Sequence, residues 1–189
     1  MRRTEGSPFQ RYLEGLHAEL KGLTKGAVAD YIPELAKAAP SNFGISFATI
    51  DGEVYSVGDS GIEFSIQSVS KPFAYGGALS RLGTKALLTK VGVEPTGEAF
   101  NSIVLDQVNN RPFNPMVNAG AIAVAALAEG DTPEDCVAGM RRLFSRFAGR
   151  ELAVDAAVHR SEAETGHRNR AIAYLMLNSG MIDRPPEEV

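Results

Sequence analysis

Cysteine is almost missing from this chain. Its 189 residues include one, Cys136, so no internal disulfide is possible and the composition suits a reducing compartment, with the cytoplasm as the default expectation. Within an apparent helix, that residue reads as a small buried apolar side chain. Histidine is scarce too: His17, His159 and His167 have no cysteine or carboxylate neighbours at metal-ligand spacing, so no metal site is expected. No stretch approaches the ~18 consecutive apolar residues of a membrane helix, and Met1-Arg2-Arg3-Thr4-Glu5 has no apolar run behind it, so neither a span nor an export signal is expected. Basic charge is not in excess, with a net charge of −4, which argues against nucleic acid or an anionic membrane as partner. The cluster Arg141, Arg142, Arg146 and Arg150 is flanked by Glu134, Asp135 and Glu151 and reads as a solvated helix face. Internal repeats and low-complexity segments are also lacking.

What is there is a globular chain, 44% hydrophobic, long enough for a sizeable core. Phe9, Tyr12, Leu13, Leu16 and Leu20 make one stripe of a first helix over residues 8–22. A short helical turn is predicted near Val28, and Pro33 is placed at the start of a helix running to about Ala38. The period then drops to two. Residues 43–50 and 53–57 read as a β-hairpin around a two-residue Asp51-Gly52 turn, and no further strand is evident to pair with it. From there on the pattern is helical: about Ser70 to Leu82, ended by Gly83, then Lys85–Val91 after a Thr84 cap, a loop-like 92–115, an alanine-rich Met116–Ala128, a capped helix from Asp131-Thr132-Pro133 to about Phe147, and residues 168–178. Pro185–Val189 resembles a first helical turn.

The chemistry concentrates where the strand pattern gives way to the helical one. Ser68 and Lys71 form the chain's only Ser-x-x-Lys. Three residues apart on a helix, a hydroxyl and an amine share a face, and a serine at a helix entrance lies by the positive end of the dipole. Pro72 fits only in a first turn, which places Ser68 at that entrance. The pair suggests a nucleophile beside its base. Read on its own, such a spacing is more often a coincidence. Asn118, near the start of an almost uncharged helix, is either an N-terminal cap or a buried amide with a polar duty.

Several stretches together resemble the serine-dependent glutaminase family: Phe64 to Pro72, Gly92-Val93-Glu94-Pro95-Thr96-Gly97, Phe100-Asn101-Ser102, Arg111 to Ile122, and Ser161-Glu162 with Thr165-Gly166 and Arg168-Asn169-Arg170-Ala171. The likeness runs from about Gly26 to Val189. It implies an α/β (α+β), β-lactamase/transpeptidase-like fold: a partial antiparallel sheet with N-terminal helices in 1–62, and a mainly helical region with the Ser-x-x-Lys in 63–189, together one incomplete domain. It implies hydrolysis of L-glutamine to L-glutamate and ammonia without a cofactor, with Ser68 as nucleophile and Lys71 as its base. It implies that Asn118, Glu162 and Asn169 hold the substrate, joined by Tyr31 and Gln67, and that the protein is a dimer or tetramer. A carboxylate for the substrate's ammonium and amides for its carboxylate are the right residue types. From the residues alone, Glu162 reads more simply as a surface helix residue and Asn169 as a cap.

Family members continue past the point where this chain stops, with a pocket tyrosine just beyond it, a second tyrosine, and a late strand that completes the oxyanion hole. The resemblance therefore reads the chain as a fragment with little activity alone. Two other readings stand beside it: a penicillin-recognising serine hydrolase, which would carry an export signal and a Ser-x-Asn element, and a non-catalytic glutaminase-like subunit.

Overall fold

The computed structural model describes residues 2–3, 6–97, 99–106 and 108–189, with side chains described from Gly6 onward. Met1, Thr4 and Glu5 lie outside these, so the reading of the first five residues as no export signal rests on sequence alone. The chain divides into two compact units, Met1–Ser65 and Ile66–Val189.

The first unit is a helix on a small sheet. Strand β1 (Arg2–Arg3) runs parallel to β3 (Glu53–Gly58), which pairs antiparallel with β2 (Gly44–Ala48), in the order β1-β3-β2. The hairpin is where its period-two pattern places it. Its turn is a correction: the loop is Ile50-Asp51-Gly52 rather than Asp51-Gly52, because Thr49 already pairs with Glu53 through its N–H (2.9 Å) and the Gly52 N–H returns to Thr49 O (3.0 Å). Gly52, at φ 82°, takes the left-handed place that closes a three-residue hairpin loop. The third strand, β1, also corrects the expectation of an unsupported hairpin; two arginines carry no strand signature.

Helix α1 (Pro8–Leu20) starts as its sequence directs, with the Ser7 hydroxyl accepting from the Gln10 N–H at 3.0 Å and proline in the first turn. The Phe9 ring lies 4.8 Å from that of Tyr55 and 5.1 Å from that of Phe47, and the Gln10 amide donates to Ser56 O. Leu13, Ile32 and Val57 are the buried apolar residues. The predicted turn near Val28 does not form, and the helix expected after Pro33 shrinks to a 3-10 turn at Leu35–Lys37. That stretch buries no side chain of its own, so no packing gain offsets the cost of nucleating a helix.

In the second unit, helix α3 (Asn118–Ala125) lies between α2 (Ser70–Leu88) and α6 (His167–Asn178). Its small residues allow this: Ala119 and Ala123 pack with Ile172, Ala173 and Met176 of α6, while Val124 packs with Ala78 and Leu87 of α2. Leu87, Ile172 and Met176 are fully buried. Helix α4 (Pro133–Ala148) is capped by the Thr132 hydroxyl on the Asp135 N–H and ends at left-handed Gly149. It packs on α2, with the Phe73 and Phe147 rings 5.0 Å apart. Arg142, Arg146 and Arg150 are exposed, and Arg141 pairs with Glu151 at 3.1 Å. Cys136 is buried and its sulfur accepts from Arg184 at 2.6 Å.

The two helices predicted on either side of Gly83 are both present and meet there in a kink, Gly83 standing at φ 75° and ψ 162° within the span Ser70–Leu88. Helix α5 (Ala156–Thr165), capped by Asp155, was not expected; it buries no residue and so shows no apolar stripe. Residues 186–188 form a 3-10 turn. Among the described residues, no helix is long and apolar enough to cross a membrane and no cluster of His, Cys, Asp or Glu could hold a metal ion.

Candidate active site

The sequence singled out Ser68 and Lys71, and the backbone around them is unusual. Ser68 sits exposed in a 3-10 turn, Gln67–Val69, that runs directly into α2. Gln67, just before it, has φ 45°, a left-handed conformation costing a non-glycine residue of order 1–3 kcal/mol. The turn is pinned by the Ser70 hydroxyl, which donates to Gln67 O at 2.7 Å. Lys71 and Pro72 are the second and third residues of α2, so proline occupies a position where no intrahelical N–H bond is lost.

Lys71 is half-buried. Its amine donates to Asn118 Oδ1 at 2.7 Å and to Met116 O at 3.1 Å, and its burial lowers its pKa from the ordinary 10.5. Asn118 does not cap α3; Val117 is the capping residue and makes no side-chain bond. Instead the Asn118 amide reaches Asn169, its Nδ2 donating to Asn169 Oδ1 at 2.9 Å. With Lys71 Nζ donating to it, the oxygen of Asn118 faces the amine, which turns the Asn118 nitrogen toward Asn169. The same logic fixes Asn169 with its oxygen inward, leaving its own Nδ2 as a donor directed to other partners. The lysine amine thus orients two amides in series.

Asn169 is the third residue of α6, and Glu162 lies in the last turn of α5, where the Gly166 N–H reaches Glu162 O at 2.7 Å. The exposed Glu162 side chain makes no hydrogen bond to Lys71, Asn118 or Asn169. Ser68 also makes no hydrogen bond to Lys71, as both N–H contacts of that amine go to Met116 and Asn118. Tyr31 lies in the other unit, exposed. The structure therefore brings Lys71, Asn118 and Asn169 together and places Ser68 one turn before Lys71, while Glu162 makes none of these bonds.

The carbonyl of Met116 was missed by sequence reasoning, since a main-chain acceptor has no residue signature. A signal existed in Asn114-Pro115-Met116, where an asparagine can bond the N–H two residues on. It does so: Asn114 Oδ1 accepts from the Met116 N–H at 2.8 Å.

Comparison with known proteins gives the family and the fold. A family model described as Glutaminase matches residues 26–189. A glutaminase of Trichormus variabilis is 54% identical over 182 residues, covering 96% of this chain and 54% of the relative. The chain thus spans about half the length of the curated relatives it matches. A crystal structure of Mglu in its tris and glutamate form has a TM-score of 0.90 at 39% identity, over 100% of this chain and 41% of that one. A probable glutaminase from Bacillus subtilis complexed with 6-diazo-5-oxo-L-norleucine has a TM-score of 0.83 at 30% identity, over 100% of this chain and 58% of that one. The mixed α/β fold is the β-lactamase-like one of these neighbours.

Proposed function

This chain belongs to the glutaminase family, and on that premise we propose that the protein hydrolyses the side-chain amide of L-glutamine through an acyl-enzyme on Ser68. The observation that carries the proposal is the Lys71–Asn118–Asn169 set beside the strained Ser68 turn. A neutral lysine amine has two N–H bonds and one lone pair. Met116 O and Asn118 Oδ1 accept the two N–H bonds, which leaves the lone pair for the hydroxyl of Ser68. Half-burial disfavours the ammonium form and so supports a base. The absent Ser68–Lys71 bond is compatible with this, because catalytic hydrogen bonds commonly tighten only in the substrate complex.

In the proposed reaction Lys71 takes the proton as Ser68 Oγ bonds to the carboxamide carbon. The tetrahedral intermediate collapses with proton delivery to nitrogen, and ammonia leaves. Water then attacks the γ-glutamyl ester, its proton passing to Lys71, and glutamate departs as Ser68 is restored. The outward Nδ2 of Asn169 suits the substrate α-carboxylate, and Glu162 supplies a carboxylate for its α-ammonium; Gln67 and Tyr31 are proposed as further contacts. The solved relatives that hold glutamate or 6-diazo-5-oxo-L-norleucine support a pocket for this amino-acid skeleton.

Ammonia release from L-glutamine tests the reading: the 189-residue chain alone is expected to release little, and the turnover it does show should be lost in Ser68→Ala. Retention of activity within tenfold would refute it. The exposed Ser68 hydroxyl, with no bond to Lys71, is the observation that favours the non-catalytic alternative, for which calorimetry would show glutamine binding without turnover. The expectations of a homo-oligomer and of a cytoplasmic protein accompany the family reading and are checked by sedimentation velocity and cell fractionation.

A further inference from the structure

Of the two acceptors on the Lys71 amine, one is a main-chain carbonyl in a loop, and its position has to be held by something. Met116 lies two residues before α3, and its N–H is bound by Asn114 Oδ1 at 2.8 Å. The other end of that amide is anchored as well, Asn114 Nδ2 donating to Glu94 O at 3.1 Å. Glu94 is fixed in turn: its N–H donates to Phe113 O at 2.9 Å, and its carboxylate accepts from Arg111 Nη2 at 3.0 Å. The Gly92 N–H donates to Pro112 O at 2.8 Å, so residues 92–94 and 111–114 run side by side. Arg111 Nη1 donates to Leu88 O, at 2.7 Å, on the last residue of α2. Lys71 lies at the opposite end of α2, across the break at Gly83. A brace therefore leaves α2 at Leu88, passes through Arg111, Glu94 and Asn114, and returns to α2 as the Met116 carbonyl on Lys71.

We propose that Asn114 is a positioning residue for the base: by clamping Met116 to Glu94, its side chain holds the carbonyl that takes one N–H of Lys71 and so aims the lysine lone pair at Ser68. The inference rests on the reading of Lys71 as that base. Both halves of the Asn114 amide are committed, its oxygen to Met116 and its nitrogen to Glu94, so alanine removes both links at once. With the carbonyl loose, the amine is free to swing into water. Its pKa then returns toward 10.5, and the loss of alignment costs turnover rather than substrate binding. Serine at 114 keeps a weaker acceptor for the Met116 N–H, as hydroxyls close the same turn less strongly than amides.

The test uses the whole protein and its Asn114→Ala and Asn114→Ser variants, with two readouts. Steady-state glutamine hydrolysis is measured against pH, and Lys71 is titrated through its ¹³Cε resonance, assigned with Lys71→Met. The expected result for Asn114→Ala is a kcat lower by about 10²-fold at a KM within twofold. The acid limb of kcat and the Lys71 titration should both move up by at least about half a pH unit, with Asn114→Ser lying between alanine and the parent. If folded Asn114→Ala titrates Lys71 as the parent does, the positioning role is overturned, whatever the activity. If the parent protein fails to hydrolyse glutamine, the functional reading falls, while the Lys71 titration still decides whether Asn114 holds the amine.

Discussion

Gly120→Ala is a demanding test of this architecture because two effects of opposite sign can be weighed against each other. Gly120 lies in the first turn of α3, where replacing glycine by alanine ordinarily gains about 0.8–1.0 kcal/mol of helix stability. Here a Cβ would lie 2.7 Å from the Asn114 carbonyl carbon and 2.8 Å from Pro115 Cα, with the carbonyl oxygen of Asn114 closer still. All three are backbone atoms, so no side chain can rotate away. Bringing the carbon contact to about 3.4 Å requires the start of α3 and the Asn114–Pro115 segment to part by at least about 0.7 Å. Overpacking of this kind costs about 1–3 kcal/mol, and with backbone on both sides the upper end applies. The net loss is about 1–2 kcal/mol, or a fall in Tm of roughly 2–8 °C for a chain of this size. Activity should suffer more than stability, because the displaced segment carries Met116 O, and misplacement on this scale costs up to about 10²-fold. Differential scanning calorimetry and ammonia release measure the two effects. Gly77→Ala is the control: its Cβ would meet Leu143 Cδ2 at 2.5 Å, the end of a side chain able to move, so the cost should stay under about 1 kcal/mol. A Gly120→Ala protein as stable and as active as the parent would refute the close approach of α3 to Asn114 and its link to Lys71.

Two further outcomes are expected. Asn118→Leu leaves the Lys71 amine without its 2.7 Å acceptor and Asn169 without its donor, so kcat/KM for glutamine should fall by about 10²–10³-fold, read by ammonia release. Because the folded-state pKa of Lys71 lies below 10.5, the unfolded chain binds more protons between that lowered value and 10.5, so this group's contribution to stability rises with pH across that window and is complete above it. Urea midpoints of the parent minus those of Lys71→Met should show that rise, and a flat difference would contradict the burial of the amine.

The legible parts of the sequence were those with a local physical cause. Alternation over residues 43–57 gave the hairpin, and the Thr132-Pro133 cap gave the start of α4. The loop length was misjudged because Asp-Gly signals a two-residue turn, whereas Ile50 leaves the strand here and Gly52 closes a longer loop. Strand β1 and helix α5 escaped because neither bears an apolar pattern: β1 is two arginines, and α5 buries nothing. In the site, Ser68 and Lys71 were found by spacing and Asn118 by its odd placement in an apolar helix. Their geometry was not accessible in this way, since the partner of Lys71 is a carbonyl 45 residues away and the Asn118–Asn169 bond joins residues 51 apart. Distance in sequence hides contacts that only the packing of α2, α3 and α6 creates.

The break in α2 also sets how this gene can drift. At φ 75° and ψ 162°, Gly83 occupies a region of backbone space that is essentially reserved for glycine. Every single-base change in that codon that alters the amino acid forces α2 to give up either its bend or its stability, even though a side chain at 83 would meet open space. A saturation library across α2 should therefore tolerate much on the exposed face around it and return glycine alone at position 83, a restriction written by torsion angles and invisible to any inventory of contacts.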